Sequence, residues 1–416
     1  MSETITITHD RSGRSERVPI TGGTVDVSDW HRVLPDVSLH DPALRHTSGW
    51  SSGVTRSSAE HGRLYYRGYP ADELAESSTY LETAYLLLHG ELPDAGQLAQ
   101  WRRRTLDGAR LDAGIHPHLR TFGRDGRPMG MLISALGYTS ALRPDARDTD
   151  DARSRHGHAA RIVGMLPALV ADIQRARSGR PPRPPVDDLS PPAGMLYQLT
   201  GRRPDTVAAR ALETLFILQA DHEQSCSTTA MRVVGSAHAD PYSCVAAACA
   251  AMDGSRHGGA AAETVAMFRR IHEPDRAAGY IHSVIAGGAR LHGFGHRVYK
   301  RPDPRVAAVR ALLDRLAATD ESRALYAVAT EVERAARSED YFVSRNLFPN
   351  LDFYLGIGYL ALGVAPELYT VAFAAARVSG WVAHWCESRE REDGLVRPRQ
   401  RYVGRDARSF SPDSPQ

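Results

Sequence analysis

Residues 291–305 read LHGFGHRVYKRPDPR and place two histidines, two glycines and a Pro-Asp-Pro turn within fifteen positions. A glycine next to a histidine permits positive φ and brings the backbone close to a ligand, which a plain surface loop does not require. The two prolines fix φ and stop helix propagation. Arg301 and Arg305 therefore stand on a rigid, extended turn. The simpler alternative is a basic, solvated turn between two helices.

Lys300 lies in the same segment and is the only lysine of the chain; arginine supplies the other long cationic side chains. An ammonium group is a compact point charge with freely rotating donors, which the planar fork of arginine does not replace at every site. Lys300 is therefore a candidate ligand-binding residue. The alternative is chance, since a single lysine has to lie somewhere.

Length and charge limit the possible functions. The chain has 416 residues, which exceeds the roughly 250–300 residues at which a single hydrophobic core stops growing, so at least two domains are expected. The charged fraction is 24% and the formal net charge is +2. This balance gives no electrostatic reason to expect nucleic acid or an acidic membrane as a partner, although a few local arginines suffice for the phosphates of a small ligand.

Cysteine usage and the N-terminus indicate a cytoplasmic protein. The four cysteines, Cys226, Cys244, Cys249 and Cys386, form no CxxC pair, so we expect reduced thiols in a reducing compartment. The first ten residues, MSETITITHD, have neither a basic nor an apolar signal region. No apolar run approaches the ~18 residues of a membrane-spanning helix.

The pattern of apolar residues predicts a mainly α protein with a small β-rich N-terminal unit over residues 1–60. Residues 4–8 alternate as TITIT, and residues 18–27 are β-branched and interrupted by glycine. From Gly68 onward the spacing is helical, and no convincing set of strands follows. Residues 77–79 are expected to divide one helical stretch in two, and the charged residues 143–158 are expected to form an exposed loop.

Five places combine residue types suited to catalysis, and nearly all lie at breaks between predicted helices: Asp221-His222-Glu223, His257 before two glycines, His296, Asp352 and Arg377. Each alone has an ordinary explanation as a helix cap or a satisfied polar contact. Together they provide groups that titrate near neutral pH, a carboxylate base and arginine clamps for a polyanionic substrate. No metal is expected, because the chain has no HExxH motif and glycines separate His292 from His296.

The order of these motifs resembles that of the citrate synthase family. The motifs are ADHEQ at 220–224, HGGA at 257–260, GFGHRVYKRPDPR at 293–305, FPNLDFYLG at 348–356, AAARVSGW at 374–381 and LVRPR at 395–399 with YVG at 402–404. No single motif is specific, but the order of the motifs along the chain is. The likeness extends from about Leu64 to Gly404. The N-terminal unit looks like that of bacterial citrate synthases that carry an extra β segment.

The resemblance implies a two-domain helical fold, with a large domain over residues 61–258 and 364–416 and a small domain over 259–363. It implies a condensation of acetyl-CoA with oxaloacetate to citrate. His257 matches the histidine that hydrogen-bonds the thioester oxygen, Asp352 the base that takes the α-proton, and His296 the histidine that polarises the oxaloacetate carbonyl.

Further roles are implied by the same resemblance. The matching oxaloacetate ligands are His222, Arg305 and Arg377, with the aromatic ring of Phe373 beside the substrate. Arg397 matches an arginine donated by the neighbouring subunit, which makes a homodimer or a higher homo-oligomer the active form.

Two residues have supporting roles in the resemblance. Ser227 matches a serine that orients the first catalytic histidine, and Lys300 lies where the family places a cation near the CoA phosphates. No cofactor is implied, because the CoA thioester is itself a substrate. The chemistry agrees: a thioester α-proton is weakly acidic, so a donor at the developing enolate oxygen must assist the base. A cleft that closes between two domains would exclude water from the enol.

The chain departs from the family pattern beside His257. Ser225 replaces the usual asparagine of HEQNxST, Arg256 directly precedes His257, and Ala261 replaces the asparagine of HGGANE. These changes lead to the hypothesis of an unusual acyl donor or keto acid, or of reduced activity. Two alternatives stay open at this point: a 2-methylcitrate synthase that uses propionyl-CoA, and a non-catalytic relative that binds CoA or a keto acid.

Overall fold

The computed structural model describes residues 3–58, 60–316 and 319–409. By its internal contacts the chain divides into two units, one made of residues 53–396 and the other of residues before 53 together with residues from 397 onward. The predicted boundaries at residues 60, 258 and 363 are a different division, and they stay predictions. The outermost residues of the predicted first and last ranges lie outside the described residues.

The smaller unit contains a two-stranded antiparallel sheet and a short helix. Strand β1 (Thr4–His9) pairs with β2 (Arg14–Pro19), with Thr4 opposite Pro19. Helix α1 (Val27–Val33) begins at Asp26, whose side chain accepts a hydrogen bond from the backbone of Ser28 at 2.8 Å. The alternating TITIT sequence is therefore a strand, as predicted.

The larger unit is predominantly helical, as expected. Three short strands precede its helices and form one antiparallel sheet: β3 (Thr55–Ser58), β4 (Arg63–Tyr66) and β5 (Tyr69–Pro70). Its helices are α2 (Ala71–Ser77), α3 (Tyr80–His89), α4 (Ala95–Ala109), α5 (Ile115–Arg120), α6 (Pro128–Leu142), α7 (Ala152–Arg177), α8 (Pro191–Thr200), α9 (Thr206–Gln219), α10 (Cys226–Gly235), α11 (Pro241–Met252), α12 (Ala260–Ile271), α13 (Ala277–Ala286), α14 (Pro304–Arg315), α15 (Asp320–Arg337), α16 (Asp340–Val343), α17 (Leu351–Ala361) and α18 (Tyr369–Glu390). The strands of this sheet continue past residue 60, where the sequence predicted none.

Helix α18 forms the centre of the larger unit. Its residues from Val371 to Cys386 are buried without interruption, and many of them are alanine or glycine. A helix that is apolar on every side has to be enclosed by other helices. It packs against α3, α7, α9, α10 and α11, and its small side chains allow neighbouring backbones to approach closely.

Two local predictions have different outcomes. The break between α2 and α3 is confirmed: Thr79 caps α3 by accepting from the backbone of Glu82, whose carboxylate accepts from the backbone of Thr79 at 2.7 Å. The exposed loop predicted for residues 143–158 is wrong in its second half, because α7 begins within it. The buried guanidinium of Arg155 donates to the carbonyls of Thr149 and Asp150 at 3.0 and 2.7 Å. Its hydrogen bonds are therefore made within the protein and not to solvent.

Among the described residues, no helix combines the length and apolar character needed to cross a membrane.

Candidate active site

The glycine-rich loop of the opening segment is hydrogen-bonded to the turn that precedes α17. The backbone N–H of Gly295 donates to the carbonyl of Phe348 at 2.8 Å, and the N–H of Asn350 donates to the carbonyl of Gly293 at 2.8 Å. The side-chain amide of Asn350 also donates to the carbonyl of Gly295 at 2.8 Å. These three bonds hold the loop that carries His296 beside the N-terminus of the helix that carries Asp352.

Gly293 is required at this junction for two reasons. Its φ is +75°, a left-handed value that strains residues with a side chain. A Cβ atom there would also lie only 2.8 Å from the Cα of Phe353 in α17. The close backbone approach at this glycine is therefore to a helix of the same chain, and the predicted approach to a ligand stays a prediction.

His296 is held as a neutral donor. Its Nδ1 accepts hydrogen bonds from the backbone N–H groups of Val298 and Tyr299, both at 3.1 Å, so the proton lies on Nε2. Its ring stacks on that of Tyr299, with centroids 4.5 Å apart. Burial, assisted by the charges of Arg305 and Lys300, lowers the pKa of His296 to about 4. The Nε2–H group is thus available to a substrate carbonyl at neutral pH.

His222 lies against the same cluster. Its ring centroid is 5.1 Å from that of His296 and 5.5 Å from that of Tyr299. Burial, followed by the positive charge of Arg305, lowers the pKa of His222 well below its usual value. Within the described part of the chain, its Nε2 is shielded from solvent and has no hydrogen-bond partner. Such an atom is suited to an incoming polar ligand.

Arg305 forms a buried ion pair with Asp303, for which the sequence predicted no role. The carboxylate accepts from Nε and Nη2 of Arg305 at 2.9 and 2.7 Å, and also from the backbone N–H of Leu351 at 3.1 Å. Burial by itself disfavours the charged guanidinium, but this carboxylate outweighs it and raises the pKa of Arg305. Asp303 therefore joins a predicted substrate ligand to the first turn of α17. A carboxylate between two prolines, two positions before an arginine, was the available sequence signal.

Arg377 is buried inside α18. Its Nε donates to the carbonyl of Gln219 at 2.5 Å, and its guanidinium carbon lies 4.9 Å above the ring centre of Phe373. Its charge is close enough to influence the pKa of His222, His257 and Asp352. The structure therefore brings the predicted arginine, aromatic and acid–base residues into one neighbourhood.

Asp352 is the second residue of α17, and its backbone N–H donates to the side chain of Asn350 at 3.0 Å. Burial raises the pKa of Asp352 to about 6, although Arg305 and Arg377 oppose this effect. A carboxylate with such a pKa is ionised at neutral pH and is a stronger base than an exposed one. Its position and pKa suit the predicted role of proton acceptor.

His257 is also neutral, with the opposite tautomer from His296. Its Nε2 lies 2.8 Å from the hydroxyl of Ser227 and accepts from the backbone N–H of the same residue at 3.3 Å. The ring proton is therefore on Nδ1. Burial and the charge of Arg377 lower the pKa of His257 to about 4. The Nδ1–H group is available as a hydrogen-bond donor, and Ser227 is the residue that contacts the other side of the ring.

The three departures from the family pattern occupy different environments. The hydroxyl of Ser225 caps α10 by accepting from the backbone of Thr228 at 3.3 Å, and it lies 3.1 Å from the hydroxyl of Ser227. Arg256 is exposed. Ala261 is buried where α12 meets α17, and a Cβ at Gly356 would lie 2.6 Å from its carbonyl oxygen. Ser225 therefore retains a link to His257 through Ser227, and the backbone of Ala261 leaves no room for a side chain at position 356.

The remaining predicted residues lie on exposed segments. Lys300 is exposed on the turn before α14. Arg397 is exposed on an extended segment of the smaller unit. Their predicted contacts with CoA and with a neighbouring subunit stay predictions.

Comparison with known proteins identifies the family of the chain. The sequence model of the family described as "Citrate synthase, C-terminal domain" matches residues 43–399. A peroxisomal citrate synthase of Dictyostelium discoideum is 38% identical, over 99% of this chain and 87% of the relative. The crystal structure of citrate synthase from Pyrobaculum aerophilum superposes with a TM-score of 0.84 at 34% identity, over 90% of this chain and 96% of that one.

A second solved structure is similar to the same degree. It is the ternary complex of carboxymethyl coenzyme A and oxaloacetate with citrate synthase from Thermoplasma acidophilum. Its TM-score is 0.83 at 30% identity, with 89% of this chain and 97% of that chain covered. The resemblance inferred from the order of the sequence motifs is confirmed, and the chain belongs to the citrate synthase family.

Proposed function

We propose that this protein condenses acetyl-CoA with oxaloacetate and hydrolyses the resulting thioester, which yields citrate and CoA. The observation that carries this proposal is the combination of one carboxylate with a raised pKa, Asp352, and two neutral histidines, His257 and His296. Each histidine accepts from a backbone N–H at one ring nitrogen, so its other nitrogen carries the proton. Reported relatives are named citrate synthases, so a 2-methylcitrate synthase is not favoured.

In the first step, Asp352 takes a proton from the methyl carbon of the acetyl thioester. Negative charge develops on the thioester oxygen, and Nδ1–H of His257 donates a hydrogen bond to it. A fixed donor aimed at a developing oxyanion supplies a large part of such catalysis, since it needs no reorganisation during the reaction. Ser227 keeps the ring in the tautomer that this step requires.

In the second step, the nucleophilic enol carbon attacks the keto carbon of oxaloacetate. Nε2–H of His296 polarises the keto oxygen, which becomes the hydroxyl of the product after it gains a proton. Arg305 and Arg377 bind the carboxylates of the keto acid, together with His222. Water then cleaves the thioester of the condensed product, which releases citrate and the free thiol of CoA.

The finer assignments complete the proposal. Lys300 is proposed to bind CoA phosphates, and Arg397 is proposed to complete the site of the partner subunit in a homodimer. No separate cofactor is required. We place the enzyme in the cytoplasm because its cysteines are free, with three of the four buried; one reported relative is named as peroxisomal.

Thiol release from purified protein tests the proposed function. Acetyl-CoA, propionyl-CoA and butyryl-CoA are each supplied with and without oxaloacetate, and citrate is identified by mass. The expected result is rapid, oxaloacetate-dependent thiol release with acetyl-CoA preferred. One methylene is worth only about 1–3 kcal/mol of discrimination, so slower use of propionyl-CoA is expected too. Absence of thiol release with every donor, or a preference for propionyl-CoA, would contradict the proposal.

A further inference from the structure

Helix α18 holds the segment that leads to His222 through three successive contacts. Arg377 donates from Nε to the carbonyl of Gln219 at 2.5 Å, and the N–H of Gly380 donates to the carbonyl of Ala220 at 3.1 Å. These contacts advance one residue at a time along the bound segment and about one turn at a time along the helix. The next contact in the series is made by His384.

His384 contacts Asp221, the residue immediately before His222. Its Nε2 lies 2.9 Å from Oδ2 of Asp221, and both side chains are fully buried. Its Nδ1 lies 2.8 Å from Nη2 of Arg232. A guanidinium only donates, so Nδ1 must accept and the ring proton lies on Nε2. His384 is therefore a neutral imidazole that donates to the Asp221 carboxylate.

The same carboxylate also shapes the backbone on the far side of His222. Its Oδ2 accepts from the N–H of Glu223 at 3.2 Å, which closes a turn around His222. Glu223 has φ +50°, a left-handed conformation that is unfavourable for a non-glycine residue. Asp221 thus compensates for a strained backbone directly beside the predicted ligand.

Arg232 connects this arrangement to the helix that contacts His257. It lies on α10, whose first turn contains Ser227, and its Nη2 also pairs with Glu387 at 3.0 Å. The Glu387 carboxylate accepts from the backbone N–H of Gly53 at 2.7 Å. Asp221, His384, Arg232 and Glu387 therefore form a buried series of contacts. This series connects the turn at His222 to α10 and α18.

We propose that His384 is a positioning residue for keto-acid binding: its hydrogen bond to Asp221 keeps His222 at the place where it contacts oxaloacetate. This inference rests on the proposed function, in which His222 is an oxaloacetate ligand. His384 acts on the keto acid through Asp221 and His222. Its effect is on oxaloacetate binding and not on acetyl-CoA binding.

The test compares His384→Leu with His384→Gln. Leucine removes both hydrogen bonds, whereas the amide of glutamine can donate to Asp221 and accept from Arg232. For the leucine variant we expect the dissociation constant of oxaloacetate, measured by calorimetry, to rise about 10- to 100-fold, as for loss of a hydrogen bond to a charged group. Its KM for acetyl-CoA should change less than about twofold, and glutamine should restore most of the oxaloacetate affinity.

Two further variants separate positioning from general destabilisation. Val382→Ala creates a cavity in the same helix and keeps the hydrogen bonds of Arg377, Gly380 and His384 to residues 219–221, so it should lower the melting temperature but leave oxaloacetate affinity unchanged. If the leucine variant does not fold, His384→Asn takes its place, because its shorter amide cannot reach both partners. We expect weakened oxaloacetate binding with asparagine and near-normal binding with glutamine.

The outcomes distinguish this inference from the proposed function. Unchanged oxaloacetate affinity in a folded leucine or asparagine variant would overturn the role of His384 alone. Equal loss in the glutamine variant would also overturn it, since the hydrogen bonds would then not matter. Failure of the wild-type protein to bind oxaloacetate would overturn the proposed function and this inference with it. If the wild type bound oxaloacetate without releasing thiol, the proposed function would be contradicted. The affinities of the His384 variants for oxaloacetate would still decide whether His384 positions His222.

Discussion

His257 and His296 are both neutral but carry their protons on opposite ring nitrogens. In each case a backbone N–H donates to one nitrogen, so the other must bear the hydrogen: Ser227 fixes His257, and Val298 with Tyr299 fixes His296. Burial keeps both rings uncharged near neutral pH. At the residue scale, the protein thus prepares two donors, and Asp352 is the proposed proton acceptor.

The pH dependence of the rate should report Asp352. Since burial raises its pKa to about 6, lowering the pH below this value protonates the base, and kcat/KM for acetyl-CoA at saturating oxaloacetate should fall about tenfold per pH unit. Steady-state assays across this range give the profile. Asp352→Asn should lack the transition and retain little activity. A wild-type rate that stays constant well below pH 6 would exclude Asp352 as the base.

The difference in stability between Asp352→Asn and the wild type should depend on pH. A carboxylate with a raised pKa destabilises the folded state when it is ionised, so its sign is opposite to that of a stabilising carboxylate. The folded-state pKa is raised to about 6 from 3.8, so ionisation costs folding free energy above pH 6, and this cost disappears as the pH falls to 3.8. We expect the variant to be more stable than wild type at pH 7.5, by up to about 3 kcal/mol, with the gain vanishing near pH 4. Calorimetric melting of both proteins measures this difference, and a gain independent of pH would contradict it.

Asp303→Asn should damage both stability and substrate binding. Removing one partner of a buried ion pair costs about 3–5 kcal/mol, because Arg305 is left charged and poorly compensated. Denaturant unfolding measures the loss, and KM for oxaloacetate should rise. The control is Asp320→Asn, which breaks an exposed pair with Arg323 and should change stability by less than about 1 kcal/mol. Similar effects of the two substitutions would contradict the role of Asp303.

At the scale of elements, the site depends on where helices begin. Asp352 lies in the first turn of α17, Ser227 in the first turn of α10, and Arg305 in the first turn of α14. The loops before α14 and α17 are hydrogen-bonded to each other, as Gly293 and Asn350 show. The helices supply rigid supports for these side chains, and the loops between them bring residues from distant positions together.

Gly293→Ala should separate His296 from Asp352. The new Cβ would meet the backbone of Phe353 at 2.8 Å in addition to the strain of a positive φ, so we expect a loss of more than about 2 kcal/mol and a large fall in kcat. Gly363→Ala is the matched control. Its φ is +76° and its Cβ would meet nothing within 4 Å, so only the strain is added. Melting temperatures and kcat of both variants test this, and equal effects would contradict the contact.

At the scale of the whole molecule, the prediction to test is a site shared between two chains. Arg397 lies in the smaller unit, whereas the acid–base residues lie in the larger one. The resemblance to the family implies that this arginine serves the partner subunit. A symmetric dimer would then contain two sites, each built from both chains.

Complementation tests the shared site. Arg397→Ala and Asp352→Asn should each be nearly inactive alone, but coexpression should form mixed dimers with one intact site. With equal amounts and random pairing, activity should recover to about a quarter of the wild-type value. Assays of the coexpressed mixture measure this value, and mixed dimers purified by two different tags should show about half of the wild-type activity. Activity no greater than that of the parent variants would contradict the proposed contribution of Arg397.

Most of the fold and the family were predictable because their signals are local. Helical spacing of apolar residues predicted the α-helices, and the order of short motifs identified the family, which made His257, His296, Asp352, Arg305 and Arg377 the candidate site residues. The start of α7 was missed because Arg155 looks like a solvated charge in sequence, while in the structure it satisfies two backbone carbonyls. A charged residue's partners are not visible in its neighbours along the chain.

The sequence by itself determined the helical class, the family and the set of acid–base groups, since these follow from residue type and order. Only the tertiary structure decided which nitrogen of each histidine carries the proton, and that Asp352 has a raised pKa. It alone showed that Asp303 clamps Arg305 and that His384 reaches Asp221 from 163 positions away. Tautomers, pKa values and supporting contacts depend on burial and on atoms supplied by distant segments, so they arise only when the chain has folded.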